Sequence, residues 1–150
     1  MMMTRKEAAM NLIQTDRIDP QDFLRFRTIV GWTPIAMEQI ENGLRNSAKM
    51  ICLKDGDEVV AMARLVWDGG YQAQLCDVMV LPEYQMQGIG RYMVTQLVDW
   101  LQSQLKPGWN LKLNLSAAEG KEPFYEKLGF RRRPCENAGS GMDKWMHGKE

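Results

Sequence analysis

The chain has 150 residues, which suits a single domain spanning residues 1–150 that buries about two-thirds of its unfolded surface. Its 45% hydrophobic and 25% charged residues are close to the averages of soluble globular proteins, and 19 basic residues balance 19 acidic ones. Because no net field would attract a polyanion or an anionic lipid surface, we expect no nucleic-acid partner and no membrane partner.

The cysteines and the chain start indicate a compartment. Cys52, Cys76 and Cys135 are odd in number and lack CxxC spacing, which argues against a disulfide framework or a zinc site and fits a reducing environment. No apolar stretch approaches the roughly 18 residues of a membrane helix, and the first residues lack the apolar segment of a secretory signal. We therefore expect a cytoplasmic protein without a bound metal.

The first third of the chain predicts a short strand around Leu12 and Ile13, followed by two helices. Asp19 and Pro20 are typical of a helix start, and Gly31 ends the apolar pattern that follows. Thr33-Pro34 repeats the start signal, with a helical stripe that continues to Asn46.

Three strand-like runs come next, at residues 48–54, 58–67 and 71–81. Asp55-Gly56-Asp57 and Gly69-Gly70 separate them as tight turns, so the runs predict an antiparallel meander. A helix over residues 89–104, a strand within 109–116 and a helix over 122–128 capped by Gly129 follow. Two last strands are expected at residues 130–133 and 142–146, which completes a mixed α/β sheet flanked by helices.

The segment QMQGIG, residues 85–90, joins the third strand to the long helix. Glycine at positions 88 and 90 permits positive φ and close approach of the backbone, and the helix that follows presents amide donors at its positive end. This arrangement is typical of an anion site. A purely structural turn is the alternative, since neither the nucleoside triphosphate loop nor a GxGxxG fingerprint is present.

The flanking residues make the segment more specific. DVMVLPEYQMQGIGRYMV, residues 77–94, is similar to the signature segment of the GCN5-related N-acetyltransferases, the GNAT family. The family's loop pattern Gln/Arg-x-x-Gly-x-Gly/Ala is matched by Gln85, Gly88 and Gly90, and its aromatic-Tyr-x-x-x-Gly-Phe pattern is matched by residues 124–130. The resemblance covers roughly residues 48–146.

The resemblance implies a co-substrate, acetyl-CoA, in a cleft where the third meander strand splays from the strand after the long helix. Its pantetheine arm would pair with the backbone of that strand, and its pyrophosphate would lie on the loop. By position, the implied co-substrate residues are Met79, Val80, Leu81, Gln85, Met86, Gln87, Gly88, Ile89, Gly90 and Arg91. Where many relatives have an anchoring asparagine this chain has Ala118, so Lys121 or backbone groups are expected to supply contacts there.

The same resemblance implies transfer of an acetyl group to a primary amine by direct attack in a ternary complex. Tyr125 matches the family's usual tyrosine acid, and a phenol with a pKa of about 10 stays protonated at neutral pH and can donate to a thiolate. Asp77 interrupts an apolar strand and would share a face with Leu75 and Met79 by simple alternation, so it is a candidate for binding or deprotonating the amine. The alternative is a structural carboxylate bonded to backbone or to Arg64.

The acceptor side is expected to be aromatic, with one acid, which favours a small-molecule amine through cation–π contact and charge pairing. The residues expected there are Phe26, Trp32, Trp67, Asp68 and Tyr71, with Trp145 from the last strand. Two alternatives remain open, a non-catalytic acyl-CoA-binding module and a protein N-acetyltransferase. A homodimer through the C-terminal strands is plausible by resemblance.

Overall fold

The structure, a computed structural model, describes residues 11–149. It divides into two compact units, of which the first ends at Leu115 and the second begins at Ser116. The first contains a sheet with three helices, and the second contains one short helix. The single domain expected over residues 1–150 stays a prediction.

The elements of the first unit follow the expected order. Its strands are β1 Ile13–Thr15, β2 Lys49–Asp55, β3 Glu58–Trp67, β4 Gln72–Val80 and β5 Lys112–Asn114. Its helices are α1 Pro20–Ile29, α2 Met37–Arg45 and α3 Ile89–Gln104, with a 3-10 turn at Pro82–Tyr84. The second unit contains α4, Glu122–Glu126.

The sheet has the strand order β1-β2-β3-β4-β5. All neighbouring strands are antiparallel except β4 and β5, which are parallel because α3 connects them as a crossover. The mixed, mostly antiparallel sheet flanked by helices is therefore confirmed.

The core surrounds β3, the central strand. Its buried residues are Val59, Val60, Ala61, Met62, Ala63 and Leu65, a nearly continuous apolar run that is typical of a strand covered on both faces. Helix α3 buries a stripe at helical spacing, namely Ile89, Met93, Val94, Leu97 and Leu101. The bounds of α3 are those expected from the sequence.

Helix α1 begins as expected. The Asp19 carboxylate Oδ1 accepts hydrogen bonds from the N–H groups of Gln21 (2.8 Å) and Asp22 (3.4 Å), and Pro20 takes the first helical position. On the side of the sheet where α1 lies, Arg25 Nη2 donates to the carbonyl oxygen of Val59 at 3.0 Å. This contact joins α1 to the central strand.

Helix α2 begins later than the sequence predicted, at Met37 and not near Pro34. The carbonyl oxygen of Thr33 accepts two hydrogen bonds from the guanidinium of Arg27, from Nε at 2.9 Å and from Nη2 at 2.6 Å. Because this carbonyl is engaged with a side chain of α1, the chain stays extended until Ala36.

The two strands expected at residues 130–133 and 142–146 do not form, so that prediction was wrong. Only an isolated bridge between Cys135 and Ala138 is present there. Residues 131–133 are three exposed arginines, and Met142, Trp145 and Met146 are exposed as well, so neither segment buries the alternate apolar face that stabilises a strand. Helix α4 ends at Glu126, two residues before the predicted end, and a turn follows it. Gly129 has the left-handed conformation expected of a capping glycine, with φ 94°, and Phe130 N–H donates to the Tyr125 carbonyl at 3.1 Å.

None of the helices within residues 11–149 is long and apolar enough to cross a bilayer.

Candidate active site

Strands β4 and β5 separate after a short parallel pairing. Their register is Gln72 with Lys112, Ala73 with Leu113 and Gln74 with Asn114, and β5 ends there while β4 continues to Val80. The Asn114 side-chain amide closes the pairing by donating to Gln72 Oε1 (3.1 Å) and to the Ala73 carbonyl (3.3 Å). Within the described part of the chain, residues 75–80 therefore have a strand partner on the β3 side alone, as the splayed pair requires.

A β-bulge interrupts β4 in the middle of this stretch, which pairs with β3 on one side only. Met79 lies opposite Met62 and Cys76 lies opposite Arg64, so Asp77 and Val78 together oppose the single residue Ala63. Asp77 is the residue with positive φ, 54°. The bulge redirects the backbone of β4 where it faces the gap.

The bulge also corrects the expected alternation of side chains. Leu75 lies opposite Leu65 and Met79 lies opposite Met62, and these two β3 residues differ by an odd number of positions. Successive residues of a strand point to opposite faces, so Leu75 and Met79 lie on different faces of the sheet. The prediction that Asp77 shares one face with both was wrong, because the extra residue shifts the period of two.

The loop that follows β4 presents a run of backbone donors. Met86 has φ 63° and Gly88 has φ 83°, and the first intrahelical bond of α3 runs from Tyr92 N–H to the Gly88 carbonyl at 2.9 Å. Within residues 11–149, the N–H groups from position 86 to position 91 have no hydrogen-bond acceptor. No acidic residue lies in the first turn of α3, so these N–H groups and the positive end of the helix favour an anion.

The two glutamines of this loop have internal partners. Gln85 Nε2 donates to the Val80 carbonyl at 3.0 Å, and Gln87 Nε2 donates to the Glu83 carbonyl at 3.2 Å. Leu81 N–H likewise donates to the Val60 carbonyl at 2.9 Å. These contacts fix the course of the loop. Arg91, the last loop residue expected to contact the co-substrate, has an exposed side chain.

Asp77 lies between two guanidinium groups. Its Oδ2 is 2.5 Å from Arg64 Nε, and its Oδ1 is 3.8 Å from Arg27 Nη1. All three side chains are largely buried, with exposed fractions of 13%, 19% and 11% for Asp77, Arg64 and Arg27. The contact with Arg64 is the structural alternative that the sequence left open, and Arg27 is an additional partner that the sequence did not reveal.

The residues expected around an acceptor have different environments. Phe26 is completely buried, which contradicts its expected contact with an acceptor, because it lies on the face of helix α1 that packs into the core. Trp32 is half-buried with the Arg27 guanidinium 5.6 Å from its ring, and Tyr71 is exposed. Trp67 packs edge-on against Trp100, and Asp68 Oδ1 accepts from Gly70 N–H at 2.7 Å, so both support the turn between β3 and β4.

Tyr125 belongs to the second unit, on α4. Its ring makes edge-to-face contacts with Phe124 (centroids 4.9 Å apart) and Phe130 (6.0 Å), which fix its orientation. Burial raises the pKa of the phenol above its ordinary value of 10.0. Among residues 11–149 its hydroxyl has no hydrogen-bond partner, while Lys121, at the start of α4, is exposed.

Two residues near the site were missed from the sequence. Arg27 lies on the buried face of α1, and a charged residue at such a position is itself a signal of a buried ion pair. Tyr84 lies in the 3-10 turn before the loop, and its hydroxyl donates to Asp55 Oδ2. No local pattern in the sequence indicates that second contact, because its partners are 29 residues apart.

A splayed strand pair that opens beside a glycine loop and the N-terminus of a helix is the arrangement expected of an acetyltransferase of the GNAT class. The model of the acetyltransferase (GNAT) domain matches residues 46–132 of this chain. This chain belongs to the GCN5-related N-acetyltransferase family.

Relatives and solved structures agree with this assignment. The uncharacterized N-acetyltransferase ycf52 of Pyropia yezoensis is 32% identical over 109 residues, which are 70% of this chain and 60% of that relative, so the chain spans well under the full length of that protein. A protein of unknown function from meticillin-resistant Staphylococcus aureus, designated a probable acetyltransferase, has a TM-score of 0.77 at 25% identity over 89% of this chain and 99% of its own. A GNAT-family acetyltransferase from Streptococcus pneumoniae TIGR4 has a TM-score of 0.73 at 28% identity over 92% and 98%.

Proposed function

We propose that the protein transfers an acetyl group from acetyl-CoA to the primary amine of a small molecule, by direct attack within a ternary complex. The observation that carries the proposal is the gap between β4 and β5 together with the loop at its end. One supplies an unpaired strand edge over residues 75–80, and the other supplies six N–H groups without an acceptor among the described residues. These two features fit the amide-containing arm and the diphosphate of one extended co-substrate.

The strand edge would hold the pantetheine arm by backbone pairing, as an added peptide strand pairs with an open sheet edge. The resemblance implies Met79, Val80 and Leu81 for this pairing. Because Leu81 N–H donates to Val60 on the β3 side, the groups of Val80 are the ones that would face the open edge. The Val80 carbonyl already accepts from Gln85, and a carbonyl oxygen can accept a second hydrogen bond. Gln85 would therefore fix the edge to the loop and need not itself contact the phosphate.

The loop would hold the diphosphate with the N–H groups of residues 86–91. Gly88 would matter because its φ of 83° turns the preceding amides outward, and Gly90 because a glycine leaves the backbone accessible. Exposed Arg91 and Lys121 could add positive charge, and neither has an ion pair within residues 11–149.

Acetyl-CoA would supply an activated acetyl group as a thioester. The chain's task at the reacting atoms would be to deliver a proton to the sulfur as the carbon–sulfur bond breaks and the bond from the amine nitrogen forms. We assign this proton to the hydroxyl of Tyr125, because a phenol whose pKa is raised by burial remains protonated across the neutral range. The proton lost by the amine would return to solvent or restore the phenol.

Of the expected side chains, Phe26 is buried, and Trp67 and Asp68 already make hydrogen bonds within the β3–β4 turn, so the acceptor would lie against Trp32 and Tyr71. Both can contact a cationic or apolar body by their ring faces. Because Asp77 has two guanidinium partners, the proposal does not require a carboxylate base there.

The test is mass spectrometry of the products formed when the protein is incubated with acetyl-CoA and a panel of small amines, peptides with free N-termini and lysine peptides. Acetylation of a small amine with matching release of thiol is the expected result. Acetylation of peptides alone would favour a protein N-acetyltransferase. Tight acetyl-CoA binding by calorimetry without transfer to any acceptor would favour a binding module.

A further inference from the structure

The bulge of β4 depends on a residue in a conformation that side chains rarely adopt. Asp77 has φ 54°, and aspartate is one of the few residues other than glycine that enters the left-handed region with some frequency. Nothing in the alternating apolar sequence of β4 itself requires this conformation. The observation that accounts for it is the pair of cations that receive the Asp77 carboxylate.

Each of the two arginines is in turn held by a different part of the first unit. Arg64, on β3, donates from Nη1 to Ser47 Oγ at 3.1 Å and to the Gly43 carbonyl at 3.5 Å, at the end of α2. Arg27, on α1, donates to the Thr33 carbonyl and lies against the rings of Phe23 (5.9 Å) and Trp32 (5.6 Å). The carboxylate of one strand residue thus connects β4 to both helices.

We infer that Arg27, Asp77 and Arg64 form a positioning cluster that fixes the β4 bulge and ties it to the α1–α2 connection, residues 30–36. The inference rests on the proposed function in one respect: the edge that the cluster holds is the one assigned to the acyl donor, and the connection carries Trp32, assigned to the acceptor. The cluster sets the position of the donor edge of β4 relative to Trp32. Asp77 acts through the backbone it holds and is not the base.

The energetics support a role through burial and pairing. Charges that are largely buried are screened little by salt, and removal of one partner leaves the others uncompensated. The cluster carries one negative and two positive charges, so loss of Asp77 leaves two like charges facing each other. Loss of either arginine leaves the carboxylate with one partner.

Amide hydrogen exchange of the protein without ligand tests the structural half of the inference. The peptide covering residues 75–81 is compared in wild type, Asp77→Asn, Arg64→Gln and the double variant. We expect at least about tenfold faster exchange in Asp77→Asn and a smaller increase in Arg64→Gln, which keeps the contact between Asp77 and Arg27. The double variant should exchange no faster than Asp77→Asn, because that variant already removes the charge pair with Arg64. Asp57→Asn, an exposed acid of the β2–β3 turn, is the control and should leave that peptide unchanged.

Ser47→Ala supplies a variant that keeps all three charges. It removes the hydroxyl that receives Arg64, and we expect a smaller increase in exchange of the same peptide. If Asp77→Asn fails to fold by circular dichroism, Ser47→Ala and Arg64→Gln decide the question. Unchanged exchange in both would overturn the inference.

Kinetics test the functional half. For Asp77→Asn we expect kcat to fall at least tenfold, while the shape of the pH profile of kcat/KM is retained, since a positioning residue does not titrate in the reaction. Loss of one limb of that profile, with exchange of residues 75–81 unchanged, would make Asp77 a base and sink the inference. If wild type neither binds nor turns over acetyl-CoA, the proposed function and the donor-positioning claim both fail, while the exchange data still decide whether the cluster holds the bulge.

Discussion

The hydroxyl of Tyr84 donates a hydrogen bond to Oδ2 of Asp55 at 2.5 Å. Tyr84 belongs to the 3-10 turn before the glycine loop, and Asp55 ends β2 at the tight turn to β3. The contact therefore joins the start of the candidate diphosphate loop to the end of β2 in the meander.

This contact predicts the titration of Tyr84. The hydrogen bond to Asp55 is the largest cause that raises the pKa of Tyr84 to about 12. A pKa raised in the folded state means that the contact stabilises the protein fully below about pH 10, the ordinary value, and that this stabilisation is lost as pH rises toward 12. Spectrophotometric titration of the tyrosines should show a phenol that titrates near pH 12 and that is absent in Tyr84→Phe.

Asp55→Asn should move the same group to lower pH, because it removes both the hydrogen-bonded carboxylate and its charge. Asp57→Asn removes an acid from the same turn that has no side-chain bond to Tyr84 and should leave the late group in place. Equal shifts in both variants would mean that the negative charge of the turn, and not the hydrogen bond, raises the pKa of Tyr84.

Gly88→Ala should weaken acetyl-CoA binding. The backbone at Gly88 has φ 83°, where a Cβ costs about 1–2 kcal/mol, and relief of that strain would rotate the amides of the loop. We expect at least a tenfold rise in Kd by calorimetry together with a lower Tm.

Gly108→Ala is the matched control for this prediction. Gly108 has φ 84° between α3 and β5, and nothing lies within 4 Å of a Cβ added there, so the variant carries a similar backbone penalty at a position outside the proposed binding site. It should lower Tm and leave Kd unchanged. An equal loss of affinity in both variants would reduce the effect at Gly88 to general destabilisation.

Tyr125→Phe should slow thiol release at least about a hundredfold, with little change in acetyl-CoA affinity or in stability, because both ring contacts are kept. Since burial raises the pKa of Tyr125, the phenol should keep its proton to above about pH 10, and activity that depends on it should decline only at higher pH.

Tyr92→Phe is the control: it removes a hydroxyl that donates a hydrogen bond to Gln14 Oε1, and it should retain turnover. Thiol-release assays on Tyr125→Phe and Tyr92→Phe show whether the loss of turnover is specific to Tyr125. Full activity of Tyr125→Phe would remove that residue from the proposed proton transfer.

Asp19→Ala should destabilise the first unit by about 1 kcal/mol, within the range of about 0.5–2 kcal/mol for loss of a helix N-cap. Asp19 receives two backbone N–H groups at the start of α1, and water would have to replace it. Urea denaturation should show a lower midpoint with an unchanged slope. Asp16→Ala removes a nearby exposed acid that caps no helix and should leave the midpoint unchanged.

The sequence alone determined the order of the elements as far as α4 and the place of the loop, because the signals for them are local. Helical spacing of apolar residues gave the bounds of α3, Asp19 and Pro20 gave the start of α1, and Gly129 gave the left-handed turn that follows α4. The two signature segments were enough to indicate the family. Each of these features depends on residues that lie within a few positions of one another.

Only the tertiary structure decided what surrounds the reacting edge of β4. The bulge at Asp77 appears when the register of β3 against β4 is known, and its partner Arg64 is 13 residues away. The full burial of Phe26 and the late start of α2 at Met37 likewise depend on what packs against α1 and on the bond from Arg27 to Thr33. A side chain's partners across a sheet or between helices are set by long-range pairing, and a one-residue change in register reverses which face each strand residue occupies.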